Sequence, residues 1–146
     1  MLLYYCIDEI ALREDILIFK TRDFSVEQDW TIPIPGFFVI ISKRNIKSIL
    51  DLTDKETKEF IYLLRRIRKG MKEILKIDEV YLFQNEDSDS PFHLWIFPRY
   101  RWMEKFGRKI QSVRPIMNYA KENMLNEKVA KEVKEYVKKM SLYMKG

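Results

Sequence analysis

Cysteine is almost absent from this sequence of 146 residues. Cys6 is the only one, so no disulfide can form within the chain and no Cys-x-x-Cys pair exists to hold zinc. These facts exclude a small secreted domain stapled by disulfides and a zinc site built on cysteine. They fit a protein that works in a reducing compartment.

Long hydrophobic runs are also missing. No stretch approaches the roughly 20 apolar residues that a membrane-spanning helix needs. The first residues include Asp8, Glu9 and Glu14 rather than the basic start of a secretory signal. No internal repeat or low-complexity segment stands out. We therefore expect a cytoplasmic protein without a membrane partner.

The excess of positive charge is small, since 27 basic and 22 acidic residues leave a formal charge of +5. Such an excess favours anionic ligands, including nucleotides, polyphosphates and RNA, without choosing among them. An ordinary soluble surface explains it equally well. With 47% hydrophobic residues, a chain of this length can bury one sizeable core, so we expect a single domain over 1–146.

Short runs rich in β-branched and aromatic residues predict five strands. Pro33, Pro35 and Gly36 interrupt the chain before the third of these runs, whose sequence is apolar on both faces and therefore indicates a central strand. Residues 1–15 fit either a short helix or an edge segment. The predicted strands are Ile16–Phe19, Phe24–Val26, Phe37–Ser42, Val80–Phe83 and Phe92–Phe97.

The clearest helix is predicted over Thr53–Leu75, where Thr53 and Glu56 form a capping-box pattern. Its apolar residues recur every three to four positions: Phe60, Leu64, Ile67, Met71 and Ile74. A basic row on its other side is most simply a solvated face: Lys58, Arg65, Arg66, Arg68, Lys69 and Lys72.

The tail, about 113–144, has helical composition with a break near Asn123–Asn126. Its apolar stripe must be buried against this domain or against a second copy: Val129, Val133, Tyr136, Val137 and Met140.

The single histidine, His93, lies in the last predicted strand. Alternation along that strand points Pro91, His93, Trp95 and Phe97 to one face. In an arbitrary sequence such a histidine is most often satisfied by the core. Beyond it, basic residues alternate with aromatic ones over 99–109, which suits phosphate and base contacts or, equally, an anchored loop.

The segment around His93 resembles the signature of the histidine-triad (HIT) superfamily, His-x-His-x-His followed by Pro-Arg. When Phe97-Pro98-Arg99 is used as the anchor, His93 takes the middle position, and Pro91 and Trp95 stand in the places of the first and third histidines. Residues 34–44, Ile-Pro-Gly-Phe-Phe-Val-Ile-Ile-Ser-Lys-Arg, are similar to another family segment. The segment also resembles a bacterial branch of the family, described as diadenosine-tetraphosphate-hydrolase-like, which has a tryptophan at the position of Trp95.

The resemblance implies an α+β fold of the HIT type, with an antiparallel sheet of about five strands against the long helix and the C-terminal helices. The core would span about 16–100 and a helical extension about 101–146. Because the family pairs through that helix and its sheet, the resemblance also implies a homodimer.

The implied function is hydrolysis or transfer of a nucleotidyl group from a dinucleoside polyphosphate or related nucleotide, with His93 as the nucleophile. No cofactor is required, although Mg²⁺ can accompany the nucleotide, and no protein metal site is expected. Two alternatives are a nucleotide-binding protein with impaired catalysis and, less favoured, an RNA-binding module using 99–114. The implied substrate-binding residues are Asp29, Phe37, Gln84, Asn85, Ser88, Trp95 and Arg99.

Overall fold

The chain forms a five-stranded antiparallel sheet, seen in a computed structural model that describes residues 16–146. The strands lie in the order β1-β2-β3-β5-β4, so β1 and β4 are the two edges of the sheet that residues 16–146 form. The predicted α+β class and strand number are confirmed. Residues 1–15, for which two structures were considered, lie outside the described residues. The strands are β1 Leu17–Lys20, β2 Phe24–Gln28, β3 Phe38–Ser42, β4 Val80–Phe83 and β5 His93–Pro98.

The α-helices cover both faces of this sheet. They are α1 Asp54–Glu73, α2 Val113–Asn123 and α3 Glu127–Lys145. Three short 3₁₀ helices lie at Ile49–Asp51, Arg101–Phe106 and Ile110–Ser112. The predicted break in the tail is confirmed, because α2 ends at Asn123 and the Asn126 side chain caps the first turn of α3 by accepting from the Val129 amide.

Two hydrophobic cores lie on opposite faces of the sheet, as the alternation along β5 requires. Phe92 and Ile96 are buried in the first core together with residues of α1 and α3. Phe97 is buried in the second, with Ile116 and Ala120 of α2. The segment that carries His93 is therefore held from both sides.

Helix α1 begins as the sequence predicts. The Thr53 side chain accepts from the Glu56 amide and the Glu56 carboxylate accepts from the Thr53 amide. The predicted apolar stripe needs correction at its end, because Ile74 follows the last helical residue and is 40% exposed. The chain turns away there through Lys76, which has a positive φ of 59°. Leu63 is fully buried on the stripe, whereas Leu64 is only partly buried.

The last helix packs on this domain, which answers the question of where its stripe is buried. Val133, Val137 and Met140 lie in the first core. Gly70 of α1 permits the close approach, because a Cβ at that position would lie 2.6 Å from the ring of Tyr143. No local pattern in the sequence indicates this role of Gly70.

Candidate functional site

His93 is the first residue of β5 and pairs with Ile41 of the neighbouring strand β3. The residue before it is anchored, because Phe92 is 1% exposed and its carbonyl accepts from the Ser42 amide. The Phe92 amide donates to the Ile46 carbonyl. These backbone bonds fix the point at which the histidine side chain leaves the sheet.

A backbone hydrogen bond determines the tautomer of His93. Its Nδ1 lies 2.7 Å from the carbonyl oxygen of Pro91. A carbonyl can only accept, so Nδ1 carries the proton and Nε2 of the neutral ring keeps its lone pair. His93 as a whole residue is 6% exposed. A neutral imidazole held in this way has one nucleophilic nitrogen.

Trp95 forms the second wall of the site. Its ring centroid is 4.3 Å from that of His93, and the two planes stand at 88°. The indole Nε1 donates to Oδ2 of Asp29 at 3.2 Å. The other oxygen of Asp29 accepts from the Thr31 hydroxyl and the Ile32 amide. Asp29, Trp95 and His93 therefore form one connected unit.

The loop between β4 and β5 contains three of the predicted substrate-binding residues, Gln84, Asn85 and Ser88. Gln84 donates to the Asn85 carbonyl, and Ser88 Oγ accepts from the Ser90 amide. Asn85 donates to Asp87 at 2.7 Å, a bond that holds the pKa of Asp87 below its usual value. The acids of this loop, Glu86, Asp87 and Asp89, are exposed to solvent.

A cation that the sequence analysis did not single out lies beside this loop. Lys47 Nζ donates to the Ser90 carbonyl at 2.8 Å. That carbonyl precedes Pro91, whose own carbonyl holds His93. In the sequence Lys47 is only one more lysine in a basic segment. Its place beside the loop depends on the contact with Ser90, which is 43 residues away along the chain.

Phe37 and Arg99 lie elsewhere. Phe37 is 1% exposed and packs in the second core against Phe97 and Phe83. Arg99 follows the opposite end of β5 from His93, about 20 Å away along the strand. It is buried and donates to the Gly107 carbonyl and the Ser112 hydroxyl. Its Nε has no hydrogen-bond partner among the described residues.

Gln28 is a further contributor that the sequence analysis did not identify. It is 1% exposed, and its amide donates to the Asp29 and Ile34 carbonyls while its oxygen accepts from the Gly36 amide. These bonds close the loop that carries Asp29. Gly36 needs its positive φ of 87° for this turn.

Several of the basic and aromatic residues after β5 are engaged in contacts within the protein. Arg108 pairs with Glu79 at 2.7 Å and with Glu104. Lys105 lies 4.5 Å from the centre of the Tyr119 ring. Trp102 packs partly buried against the second core.

Over residues 16–146, no group of three or more His, Cys, Asp or Glu side chains is arranged to hold a metal ion. In the same part of the chain, none of the helices is both long and apolar enough to cross a bilayer.

Comparison with known proteins gives a likeness of fold. No family model matches the sequence, and no curated protein matches it. Solved structures do match. A HIT-like protein involved in cell-cycle regulation from Bartonella henselae is 18% identical, with 88% of this chain and 85% of that one covered at a TM-score of 0.60.

Two further structures agree with it. A HIT family protein from Bacillus anthracis is 19% identical, with 82% and 86% of the two chains covered at a TM-score of 0.55. A hypothetical histidine triad nucleotide-binding protein from Sulfolobus tokodaii is 14% identical, with 84% and 83% covered at a TM-score of 0.53. The chain thus has the fold of histidine-triad proteins, as predicted.

Proposed function

We propose that this protein binds nucleotides and transfers or hydrolyses a nucleotidyl group through His93, with a dinucleoside polyphosphate or related nucleotide as substrate. The observation that carries the proposal is the Nδ1 hydrogen bond to Pro91, which leaves Nε2 as a lone-pair nitrogen. The shared fold and the nucleotide-binding description of the Sulfolobus protein support the substrate class. A reducing cytoplasm suits a chain with one cysteine.

In this proposal Nε2 attacks the α-phosphorus of the nucleotide. A P–N bond forms, the P–O bond to the leaving polyphosphate breaks, and the electron pair leaves with that oxygen. Water then attacks the same phosphorus, the P–N bond breaks with its electron pair returning to Nε2, and the proton that the water loses passes to solvent. Lys47 and the backbone amides of loop 86–90 are the nearby groups suited to the charge on the phosphoryl oxygens.

The leaving group must depart without a strong acid. Trp95 stands where a third histidine would be, and an indole N–H is a hydrogen-bond donor that does not act as an acid near pH 7. That N–H is also engaged by Asp29. A polyphosphate needs less protonation than an amine, so dinucleoside polyphosphates are expected to react and adenylyl-amine compounds to react far more slowly.

The test is product chromatography after incubation with both compound classes, with and without Mg²⁺, for the wild type, His93→Ala and His93→Asn. We expect turnover of the dinucleoside polyphosphates that both variants lose. An intact-mass measurement after alkaline quench should find a nucleotidyl adduct in the wild type alone. Thermal unfolding of each variant controls for loss of fold, since His93 is buried.

A second candidate function is nucleotide binding without turnover. The bond between Asp29 and Trp95 favours it, because this bond occupies the indole N–H of Trp95, the residue that stands in the place of the third histidine. That candidate predicts thermal stabilisation by nucleotide in the wild type and in His93→Asn, with no product in either. Absence of both turnover and stabilisation would contradict both candidates.

A further inference from the structure

The two ends of the candidate site differ in charge. Asp29 follows directly after β2, where the register of the sheet places the chain level with Ile96 of β5. The carboxylate of Asp29 and the ring of Trp95 therefore lie toward the carboxyl end of β5 from His93. The loop between β4 and β5 lies at the opposite end, because it leads into His93, the first residue of β5.

The dipeptide Ile46–Lys47 ties this loop across its two ends. At the start of the loop, the Gln84 side chain reaches the Lys47 carbonyl at 3.5 Å. At its end, the Phe92 amide donates to the Ile46 carbonyl, and Lys47 Nζ donates to the Ser90 carbonyl at 2.8 Å. These contacts hold the ammonium group of Lys47 against the loop that leads into β5.

The charge of Lys47 has no carboxylate partner among residues 16–146. Its hydrogen bond goes to a neutral carbonyl, so two of the three ammonium N–H groups remain available. The nearby Arg44, in contrast, is paired with Glu56. Lys47 is half-buried, so solvent screens its field less than that of the three exposed acids of the loop, Glu86, Asp87 and Asp89.

From these observations we propose that Lys47 binds the phosphates of the leaving group and thereby selects nucleotides whose α-phosphoryl group is attached to a polyphosphate. This inference rests on the proposed function and specifies its substrate. The nucleoside lies toward Asp29 and Trp95, because a carboxylate repels phosphate and an aromatic ring gives a base contact area. The phosphate chain extends the other way, toward the ammonium group.

This placement accounts for departure of the leaving group without a strong acid. When Nε2 of His93 bonds to the α-phosphorus, the P–O bond breaks and its electron pair stays on the bridging oxygen. That oxygen becomes a terminal oxygen of the leaving polyphosphate and needs a proton or a neighbouring positive charge. Lys47 supplies the charge by donating hydrogen bonds, and no proton is transferred in this step.

The experiment compares two substrates that carry the same nucleotidyl group. Diadenosine tetraphosphate has ATP as its leaving group, whereas the p-nitrophenyl ester of AMP releases nitrophenolate, which contains no phosphate. Rates are measured for the wild type, Lys47→Met, Lys47→Arg and Lys43→Met. Lys43 is the matched control, because it also donates to a backbone carbonyl, that of Thr21 at 2.6 Å, and its replacement makes the same change of net charge.

Lys47→Met should lower kcat/KM for diadenosine tetraphosphate about tenfold more than for the nitrophenyl ester, because only the first leaving group carries phosphates. Lys47→Arg keeps the charge and should recover most of this difference. Lys43→Met should behave as the wild type does. A general shift of the loop would lower both substrates alike, so the ratio separates recognition of phosphate from a structural effect. Thermal unfolding checks that each variant is folded.

A titration calorimetry experiment with inorganic tripolyphosphate tests the same contact without turnover. The wild type and Lys43→Met should bind tripolyphosphate equally, and Lys47→Met should bind it about tenfold more weakly, because one half-buried charge is removed.

Three results would overturn the inference. The first is an equal loss of activity on both substrates in Lys47→Met, and the second is an equal effect of Lys47→Met and Lys43→Met. The third is a wild type that does not bind tripolyphosphate. If the wild type turns over neither substrate, the proposed function fails, and the titration alone then decides whether Lys47 binds polyphosphate.

Discussion

The hydrogen bond from Trp95 to Asp29 can be tested by a double-mutant cycle. A bond to a charged acceptor contributes about 1.5–3 kcal/mol. Here the length is 3.2 Å and the pair is partly exposed, so we expect a coupling of about 1 kcal/mol. Trp95→Phe keeps an aromatic ring beside His93 and removes the donor together with part of the ring system, and the loss of ring contacts cancels in the cycle. Asp29→Ala also loses the bonds from Thr31 and Ile32, but those losses cancel in the cycle.

The assay is urea unfolding of the wild type, Trp95→Phe, Asp29→Ala and the double variant, with the slope required to stay constant. Trp102 provides the matched control, because the structure gives it no bond to Asp29. Trp102→Phe combined with Asp29→Ala should therefore be additive. A coupling energy between Trp95 and Asp29 below about 0.3 kcal/mol would show that the two residues do not act as a connected unit, because the effects of independent substitutions add to within about that value.

Three further substitutions probe the frame around the site. Gly70→Ala should lower the free energy of unfolding by about 1–2 kcal/mol in thermal unfolding, because the overlap with the Tyr143 ring outweighs the gain of about 1 kcal/mol in helix propensity. When Tyr143→Ala is already present, Gly70→Ala should instead be stabilising, because only the gain in helix propensity is left. Glu56→Gln should cost about 1–2 kcal/mol at pH 7 by urea unfolding, through the bonds lost to Arg44 and the helix cap. The hydrogen bond from Arg44 lowers the pKa of Glu56 from 4.5 to about 2, so its contribution is complete above pH 4.5, and the deficit of the variant should vanish as pH falls through about 2. Arg99→Ala should cost about 2–4 kcal/mol by urea unfolding, since it removes buried hydrogen bonds and leaves a space; a loss below about 0.5 kcal/mol would contradict its structural role.

Local patterns in the sequence predicted much of the fold because local physics determines those features. The Thr53 and Glu56 capping box marks the first turn of α1 through bonds that span three residues. Strand β4 has the predicted bounds, Val80–Phe83, since polar residues flank a short apolar run on both sides. The two faces of β5 follow from the period of two.

Contacts between distant residues could not be predicted in this way. No local pattern in the sequence indicates that the missing side chain of Gly70 makes room for Tyr143. Lys47 becomes relevant to the site only because the chain brings Ser90 to it. Arg99 matched a family motif. Its hydrogen bonds to the Gly107 carbonyl and the Ser112 hydroxyl, however, depend on how residues 101–112 fold back onto it.

In segment 92–96, the residues that stabilise the fold differ from those that form the candidate site. Phe92 and Ile96 face the first core and are at most 1% exposed, so a change there would disturb the whole sheet. His93 and Trp95 leave the other face, where each is held by one hydrogen bond and by contact with the other. Substitutions at these two positions leave the first core intact, and the sheet that positions them is retained. For this reason His93→Asn is expected to stay folded, and its turnover measures the chemistry of the imidazole itself.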